Sequence, residues 1–430
     1  MPTETEVNTR LDRRERFRIY MQKLNPTAPA QTVIELGLAS TDLHESLYEK
    51  LAARADLDPG SQQLLVGGIG SGKTTELLLA QRWLNEKQES VCLFIDISAE
   101  TDLSGLHSGA IVAGFGVHLS RAFRNSAAGK GLSKIDSSEV KKYTDEVKHF
   151  AFGKTESIWV PDDDYPEQEY EPDEEPDYEP DYEPGHYVRR TTPGKLQPPF
   201  PALQRDLKEI TKALEFFISR LRSQQLDTVV IFDGLDRLLT PEKFWSVVHQ
   251  DFRALRSLGV AVLAAAPLSV LYGKGRSVTD HFDRVHHIAS VSIDPGKTAK
   301  LKSVLVQRGA AELALRPDIE RIAKASGGVL RDLITLARDA GEAAYLDGSD
   351  GIKSTHVRAA AKQLGEGYLR GLSAGQLKLL RKLARDRSID LSSEPAVELL
   401  ATRRILEYSA TDFRVHPALE PLIKLKEENA

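Results

Sequence analysis

Residues Gly67-Gly-Ile-Gly-Ser-Gly72-Lys73-Thr74 follow the spacing G-x-x-x-x-G-K-[ST]. That order suits a chain of phosphates. Polyphosphates present many oxygens in a small volume, and glycines let successive backbone N–H groups turn inward onto them. Gly67, Gly68, Gly70, Ser71 and Gly72 form the predicted cradle. Lys73 brings a full positive charge to the β- and γ-phosphates, and the Thr74 hydroxyl is small enough to ligate Mg²⁺. Thr75 supports the loop or the start of a helix. A helix opening near Lys73 sets its positive dipole end beneath the phosphates.

A second set of residues completes such a site. Thr228-Val-Val-Ile-Phe-Asp233-Gly-Leu-Asp236-Arg237 is an apolar run ending in a carboxylate. A buried strand there holds Asp233 at the edge of a sheet, where it ligates Mg²⁺ directly or through water. In isolation a strand-end aspartate serves as well as a helix cap, but downstream of a phosphate loop the metal role is favoured. Asp236, three residues on, is placed to orient or deprotonate an attacking water. Its alternative is an ion pair with Arg237, or a cap for the helix that begins near Thr240.

The elements that must position these groups follow from apolar periodicity. Continuous apolar runs predict strands at 63–66, 91–97, 228–232, 260–266 and 284–293. Helices are expected at 73–86, 103–122, 203–223, 242–258 and 267–272, with one more from about 41 through Leu43, Leu47, Leu51 and Ala52. Strands that alternate with helices and are apolar throughout predict an α/β fold with a parallel sheet covered on both faces. This P-loop core spans 41–295 and follows an N-terminal arm, 1–40, that is charged and expected to be partly disordered. Helices at 297–307, 317–325 and 329–345 form a small helical lid, 296–350. The stretch 354–430 is separate, with helices at 355–366, 374–386 and 394–402 and a hairpin at 405–408 and 413–415, an order that resembles a winged helix.

Composition narrows the classes. The single cysteine, Cys92, excludes an intramolecular disulfide and sits in an apolar run as a core thiol. The first residues carry no apolar leader, and the most apolar run, 258–273, is interrupted by Pro267, whereas a span needs roughly 20 such residues. A soluble, cytoplasmic chain with no membrane segment is expected. The net charge of −6 hides a split, since 161–184 holds thirteen Asp or Glu, six Pro and four Tyr and no Lys or Arg. Without that run the charge is about +7. An insertion at about 155–195 that is dense in proline and like charge builds no packed core. It is either a solvated surface loop or an electrostatic mimic that competes for a basic surface.

The paired motifs, strand order and helical lid resemble the AAA+ and STAND groups of P-loop ATPases. The resemblance covers about 40–350 and extends to the C-terminal part, and it implies ATP and Mg²⁺ as ligands. Ser326-Gly-Gly-Val-Leu-Arg331-Asp-Leu resembles the lid motif that carries the sensor 2 arginine, which makes Arg331 a γ-phosphate contact. Its alternative is a solvated arginine in a loose ion pair. Asp280-His-Phe-Asp-Arg284 lies where AAA+ proteins often place an arginine finger, so Arg284 would reach the nucleotide of a neighbour in a homo-oligomer. Two departures count against fast hydrolysis. AAA+ proteins usually follow the strand-end aspartate with Glu, and here Gly234 stands there. The fourth strand ends Ala264-Ala-Ala-Pro267, without a polar sensor.

Three functions follow. The first is a slow ATPase switch whose nucleotide state sets the action of a partner protein, in bacterial signalling or defence by resemblance. The second is a DNA-binding AAA+ ATPase of initiator or transposition type. Its duplex contact would be the basic cluster at 378–387: Lys378, Arg381, Lys382, Arg385 and Arg387. Against DNA, 354–430 holds thirteen basic and ten acidic residues, and STAND winged helices more often pack on the ATPase core. The third is a nucleotide-binding scaffold without turnover. His286 and His287 fall in a strand and would face opposite sides, so they form no metal pair.

Overall fold

Uninterrupted aliphatic runs form the centre of the molecule. The computed structural model describes residues 4–127, 137–152, 158–161, 187–190, 206–238, 240–272, 278 and 281–428. Its strands are β1 (Gln62–Gly67), β2 (Ser90–Asp96), β3 (Ile158–Pro161), β4 (Tyr187–Arg190), β5 (Asp227–Asp233), β6 (Ala261–Ala266), β7 (Arg284–Ile288), β8 (Ile405–Ser409) and β9 (Asp412–Val415). Five of them pair in parallel in the order β2-β5-β6-β1-β7. The β1 strand therefore lies between β6 and β7, with β6 separating it from the Asp233 strand. Successive side chains alternate between the faces. Leu64, Val66, Val230 and Phe232 enter one core, shared with the helices Ala110–Ala127, Asp206–Arg222 and Pro241–Ser257. Leu65, Val229, Ile231 and Leu263 enter the other, against Leu51 and Leu77 of the helices Leu47–Leu57 and Lys73–Lys87. Both faces are covered, as continuous apolar strands require. Cys92 of β2 is half-buried beside this second core, and burial pushes its thiol up to about 12.

Several expected boundaries shift for local reasons. β7 stops at Ile288 because the chain then leaves the sheet: Ser290 N donates to Glu407 O at 2.8 Å and Val291 N to Gly328 O at 3.2 Å. The helix expected at 103–122 begins at Ala110, where the buried Asp251 carboxylate accepts from the backbone N–H groups of Gly109, Ile111 and Val112 at 2.6, 3.0 and 3.2 Å. The element expected at 267–272 is a single 3₁₀ turn, Leu268–Val270.

The expectation of a partly disordered N-terminal arm is corrected. Residues Glu4–Lys23 form a helix. Its Phe17 and Tyr20, with Leu24, pack into the core of the lid helices Ala299–Gln307, Arg316–Ala325 and Leu330–Leu346. The Tyr20 hydroxyl donates to Ala337 O at 2.7 Å, and Arg13 donates to Ser349 O and Tyr345 O. Burial of such side chains contributes roughly 1.5–3 kcal/mol each. The helix Ser354–Leu369 joins two packing units. Val357 and Ala360 enter the lid core, while Tyr368 enters the larger core with Leu380, Phe413 and Leu419. The acidic run lies almost wholly outside the described residues. Its flanks, expected to lack structure, instead pair antiparallel as β3 and β4, with Pro161 opposite Tyr187. Among the described residues no helix is long and apolar enough to cross a membrane.

Candidate nucleotide-binding site

The glycine-rich run occupies the turn between β1 and the helix Lys73–Lys87, at the carboxyl edge of the sheet. In open α/β sheets this edge, where connections diverge, forms the binding crevice. Gly70 takes φ +77, and a Cβ on it would lie 2.6 Å from the Arg331 Cβ. The loop thus needs glycine there to pass beneath the lid. Lys73 is buried at the helix start. Its ammonium donates to Gly67 O at 2.8 Å and Gly68 O at 3.0 Å and pairs with Asp236 Oδ2 at 2.9 Å. Ser71 Oγ is buried without a hydrogen-bond partner among the described residues, an orphaned polar atom within the loop. A parallel α/β sheet with this loop between its first strand and the helix that follows is the fold of a P-loop NTPase core.

Asp233 closes β5, directly beside Asp96 of β2. Thr74 Oγ1 donates to Asp233 Oδ2 at 2.8 Å. Neighbouring ligands on an octahedral Mg²⁺ at about 2.0–2.1 Å stand about 2.9 Å apart, so this oxygen pair fits the ion. Burial raises the Asp233 carboxyl above its ordinary range, and the Asp236 and Asp96 charges add to this against the Thr74 hydrogen bond. An ionised carboxylate so placed is short of positive charge, which a divalent cation supplies.

Asp236 lies in the 3₁₀ turn Leu235–Arg237. Of its alternatives neither occurs: its partner is Lys73, not Arg237, and the helix Pro241–Ser257 is capped by Thr240, whose Oγ1 accepts from Lys243 N. Gly234 explains the missing glutamate. It takes φ +84, and a Cβ would meet Asp96 Oδ1 at 2.8 Å and Ser98 N at 2.9 Å. The position has no room for a side chain. The end of β6, Ala264–Ala266, is buried and apolar, and it brings no polar group to the edge.

The structure brings Arg331 to the loop but not Arg284. Arg331 N donates to Gly70 O at 3.3 Å, and its exposed side chain forms no ion pair among the described residues. Arg284 is exposed at the start of β7, in register with Gln63 and so at the opposite end of the sheet from Gly67. Within its own chain it is remote from the phosphate loop. Thr75 lines a narrow cleft with Gly72, Leu38, Leu43, Val304 and Leu330, between core, lid and the segment 33–44. A neighbouring narrow cleft lies between Gly68–Ser71 and Arg403–Glu407.

Other residues at the site carried no local signal in the sequence. His44 Nε2 donates to Ser71 O at 3.0 Å and so braces the loop from outside. Asp332, beside Arg331, is buried and pairs with Arg403 at 2.6 Å and His416 at 3.4 Å, and it accepts from Tyr368 OH at 2.6 Å. The Arg331 helix is thereby fastened to the C-terminal hairpin. His286 meets Gln63 Oε1 at 3.2 Å, and His287 meets Glu407 Oε2 at 3.2 Å, so the two histidines take partners on different elements. In the basic cluster Lys378, Lys382, Arg385 and Arg387 are exposed, whereas Arg381 Nε turns inward to Ile423 O at 3.4 Å.

Comparison with protein-family models finds no match, nor does any curated protein match. Among solved structures the chain is similar to the Aeropyrum pernix ORC2 protein in ADPNP–ADP complexes, at 14% identity and a TM-score of 0.42, over 90% of this chain and 95% of that one. It is similar to Cdc6p from Pyrobaculum aerophilum at 14% identity and a TM-score of 0.40, over 94% and 98%. It is also similar to Drosophila ORC bound to DNA at 13% identity and a TM-score of 0.43, over 95% and 91%. Likeness of this degree assigns neither family nor function, which rest on the geometry of the chain itself.

Proposed function

We propose that this chain is a cytoplasmic switch ATPase of the AAA+/STAND kind, binding ATP with Mg²⁺, hydrolysing it slowly and signalling its nucleotide state to a partner protein. One observation carries the reading. Lys73, Thr74, Asp233, Asp236 and the backbone of Arg331 converge on one sheet edge through contacts of 3.3 Å or less. The amides of Gly68–Thr74 hold the phosphates, and Lys73 exchanges its carbonyl and Asp236 contacts for phosphate oxygens. That exchange frees the Asp236 carboxylate to orient water and accept its proton. Mg²⁺, held by Thr74 and Asp233, supplies positive charge to the phosphate oxygens. Gly234 cannot contribute the usual base, which favours slow turnover. The Arg331 side chain reaches the γ-phosphate from the lid, and the Asp332 contacts carry lid movement to the C-terminal hairpin. Calorimetry with ATP and Mg²⁺ tests the site. Lys73→Ala should abolish the binding seen in the unaltered chain, and an unchanged affinity ends the proposal.

A second reading has a specific observation in its favour. Lys378, Lys382, Arg385 and Arg387 are exposed together on and after the helix Ala374–Asp386, as a phosphate-contacting surface would be. As a DNA-binding ATPase the chain should bind duplex with an affinity that falls steeply with salt. Reversal of Lys378, Lys382 and Arg385 to Glu should remove that binding and leave ATP affinity unchanged.

A further inference from the structure

Three carboxylates gather at the sheet edge beside the phosphate loop, and the chemistry above uses only two of them. Asp233 meets Thr74, and Asp236 meets Lys73. The third is Asp96, the last residue of β2, which parallel pairing sets directly beside Asp233. Residues paired across parallel strands project to one face, and along a strand the faces alternate. Cys92 and Phe94, four and two residues earlier, pack against the core that Leu77 of the phosphate-loop helix enters. Asp96 therefore projects to the same face as Asp233, the face that carries Thr74.

Its two oxygens differ in their contacts. Oδ1 accepts from Ser98 N at 3.0 Å and from Ser98 Oγ at 2.6 Å, which fixes the carboxylate in place. Oδ2 has no such partner among the described residues. Gly234 leaves room on this side, since a Cβ there would lie 2.8 Å from Asp96 Oδ1. The space that a side chain at 234 would enter is thus taken by a carboxylate from another strand. Asp96 is also near enough for its charge to add to the rise that burial gives the Asp233 carboxyl. Lys73 is the one cation that pairs with any of the three among the described residues.

The chemistry of the ion sets the kind of contact. Mg²⁺ dehydrates reluctantly and keeps several waters beside one or two carboxylates. Among the described residues no three carboxylate or imidazole groups are placed to hold a metal ion by themselves. We infer that Asp96 is a positioning residue for the Mg²⁺ site, its Oδ2 accepting a hydrogen bond from a water that the ion retains. That contact sets where the ion rests against Thr74 and Asp233. The carboxylate that position 234 lacks comes in this way from β2, and it serves the ion and not the attacking water. The inference rests on the proposed nucleotide site and adds a residue to it.

The test uses Mn²⁺ in place of Mg²⁺, since both suit carboxylate and water ligands and the free Mn²⁺ ion is counted by paramagnetic resonance. The full chain is saturated with ADP, so that no turnover enters the reading, and titrated with Mn²⁺. Asp96→Asn should weaken Mn²⁺ by roughly 10–100-fold, as loss of an outer partner of a metal site does. Its ADP affinity in EDTA should be unchanged. Asparagine keeps an acceptor for Ser98, so the thermal midpoint without nucleotide should not fall. Asp96→Ala, which removes that acceptor, should lower both the midpoint and the Mn²⁺ affinity. Unchanged Mn²⁺ affinity in Asp96→Asn would leave Asp96 as a cap for Ser98 alone and overturn the inference. Weaker ADP binding by Asp96→Asn in EDTA would show an effect on the phosphate loop and overturn it as well. Failure of the unaltered chain to bind ADP at all would instead overturn the nucleotide site itself.

Discussion

Asp236 decides how the site turns over. Its carboxylate is engaged by Lys73, so it is a poor base until phosphates draw that ammonium away. Asp236→Asn should retain ATP binding within a few-fold and lose hydrolysis, measured as phosphate release in single turnover. Normal turnover would remove Asp236 from the base role. The neighbouring glycine is equally constrained. Gly234→Ala places a Cβ in left-handed backbone against Asp96 and Ser98, at a cost of roughly 2–3 kcal/mol in urea unfolding. At this scale the sequence is informative where contacts are local. Lys73, Thr74 and Asp233 follow from motif spacing, because the loop and strand end fix them within a few residues. The Lys73–Asp236 pair and the His44 brace are contacts between distant segments, and no periodicity marks them.

Secondary-structure elements were legible wherever burial is continuous and less so where capping or docking decides. All five parallel strands stand within a few residues of their apolar runs, because nothing else in the chain satisfies those runs. The start of the helix Ala110–Ala127 was misplaced because its cap comes from a remote carboxylate. Asp251 satisfies three backbone donors there in a buried setting. Asp251→Ala should therefore lower stability by roughly 3 kcal/mol, seen as a lower denaturant midpoint with little change in slope. A change below about 0.5 kcal/mol would show that the helix start needs no such cap. The N-terminal helix was missed for a different reason. Its high charge hides the spacing of Phe17, Tyr20 and Leu24, which together make one narrow apolar stripe.

At the scale of the whole molecule, Asp332 ties the Arg331 helix to the flanks of the hairpin through Arg403 and His416, and to the helix Ser354–Leu369 through Tyr368. Burial opposes ionisation of this carboxyl, yet the hydrogen bond from His416 and the charge of Arg403 hold it below its ordinary range. A carboxyl with a depressed folded pKa adds stability above its unfolded value, near pH 4, and loses it as pH falls through the folded value. Asp332→Asn should therefore be destabilised by roughly 3 kcal/mol at pH 7, and the two proteins should converge well below about pH 4. A constant difference across that range would exclude the ionised hub. None of these partners was foreseeable from spacing, since lid and hairpin meet only in the folded chain.

The helix Glu4–Lys23 rides on the lid, but the chain that follows it crosses to the core and joins it at Leu47. A second crossing runs from Ile288 back to the lid helix that starts at Ala299. With the helix Ser354–Leu369, which packs into both cores, these two crossings restrict how the lid can move against the sheet. The first crossing also forms a wall of the cleft beside Thr75, through Val33, Leu38 and Leu43. Any rotation that widens the cleft must drag this strap along, so escape of a bound molecule and displacement of 33–44 are a single event.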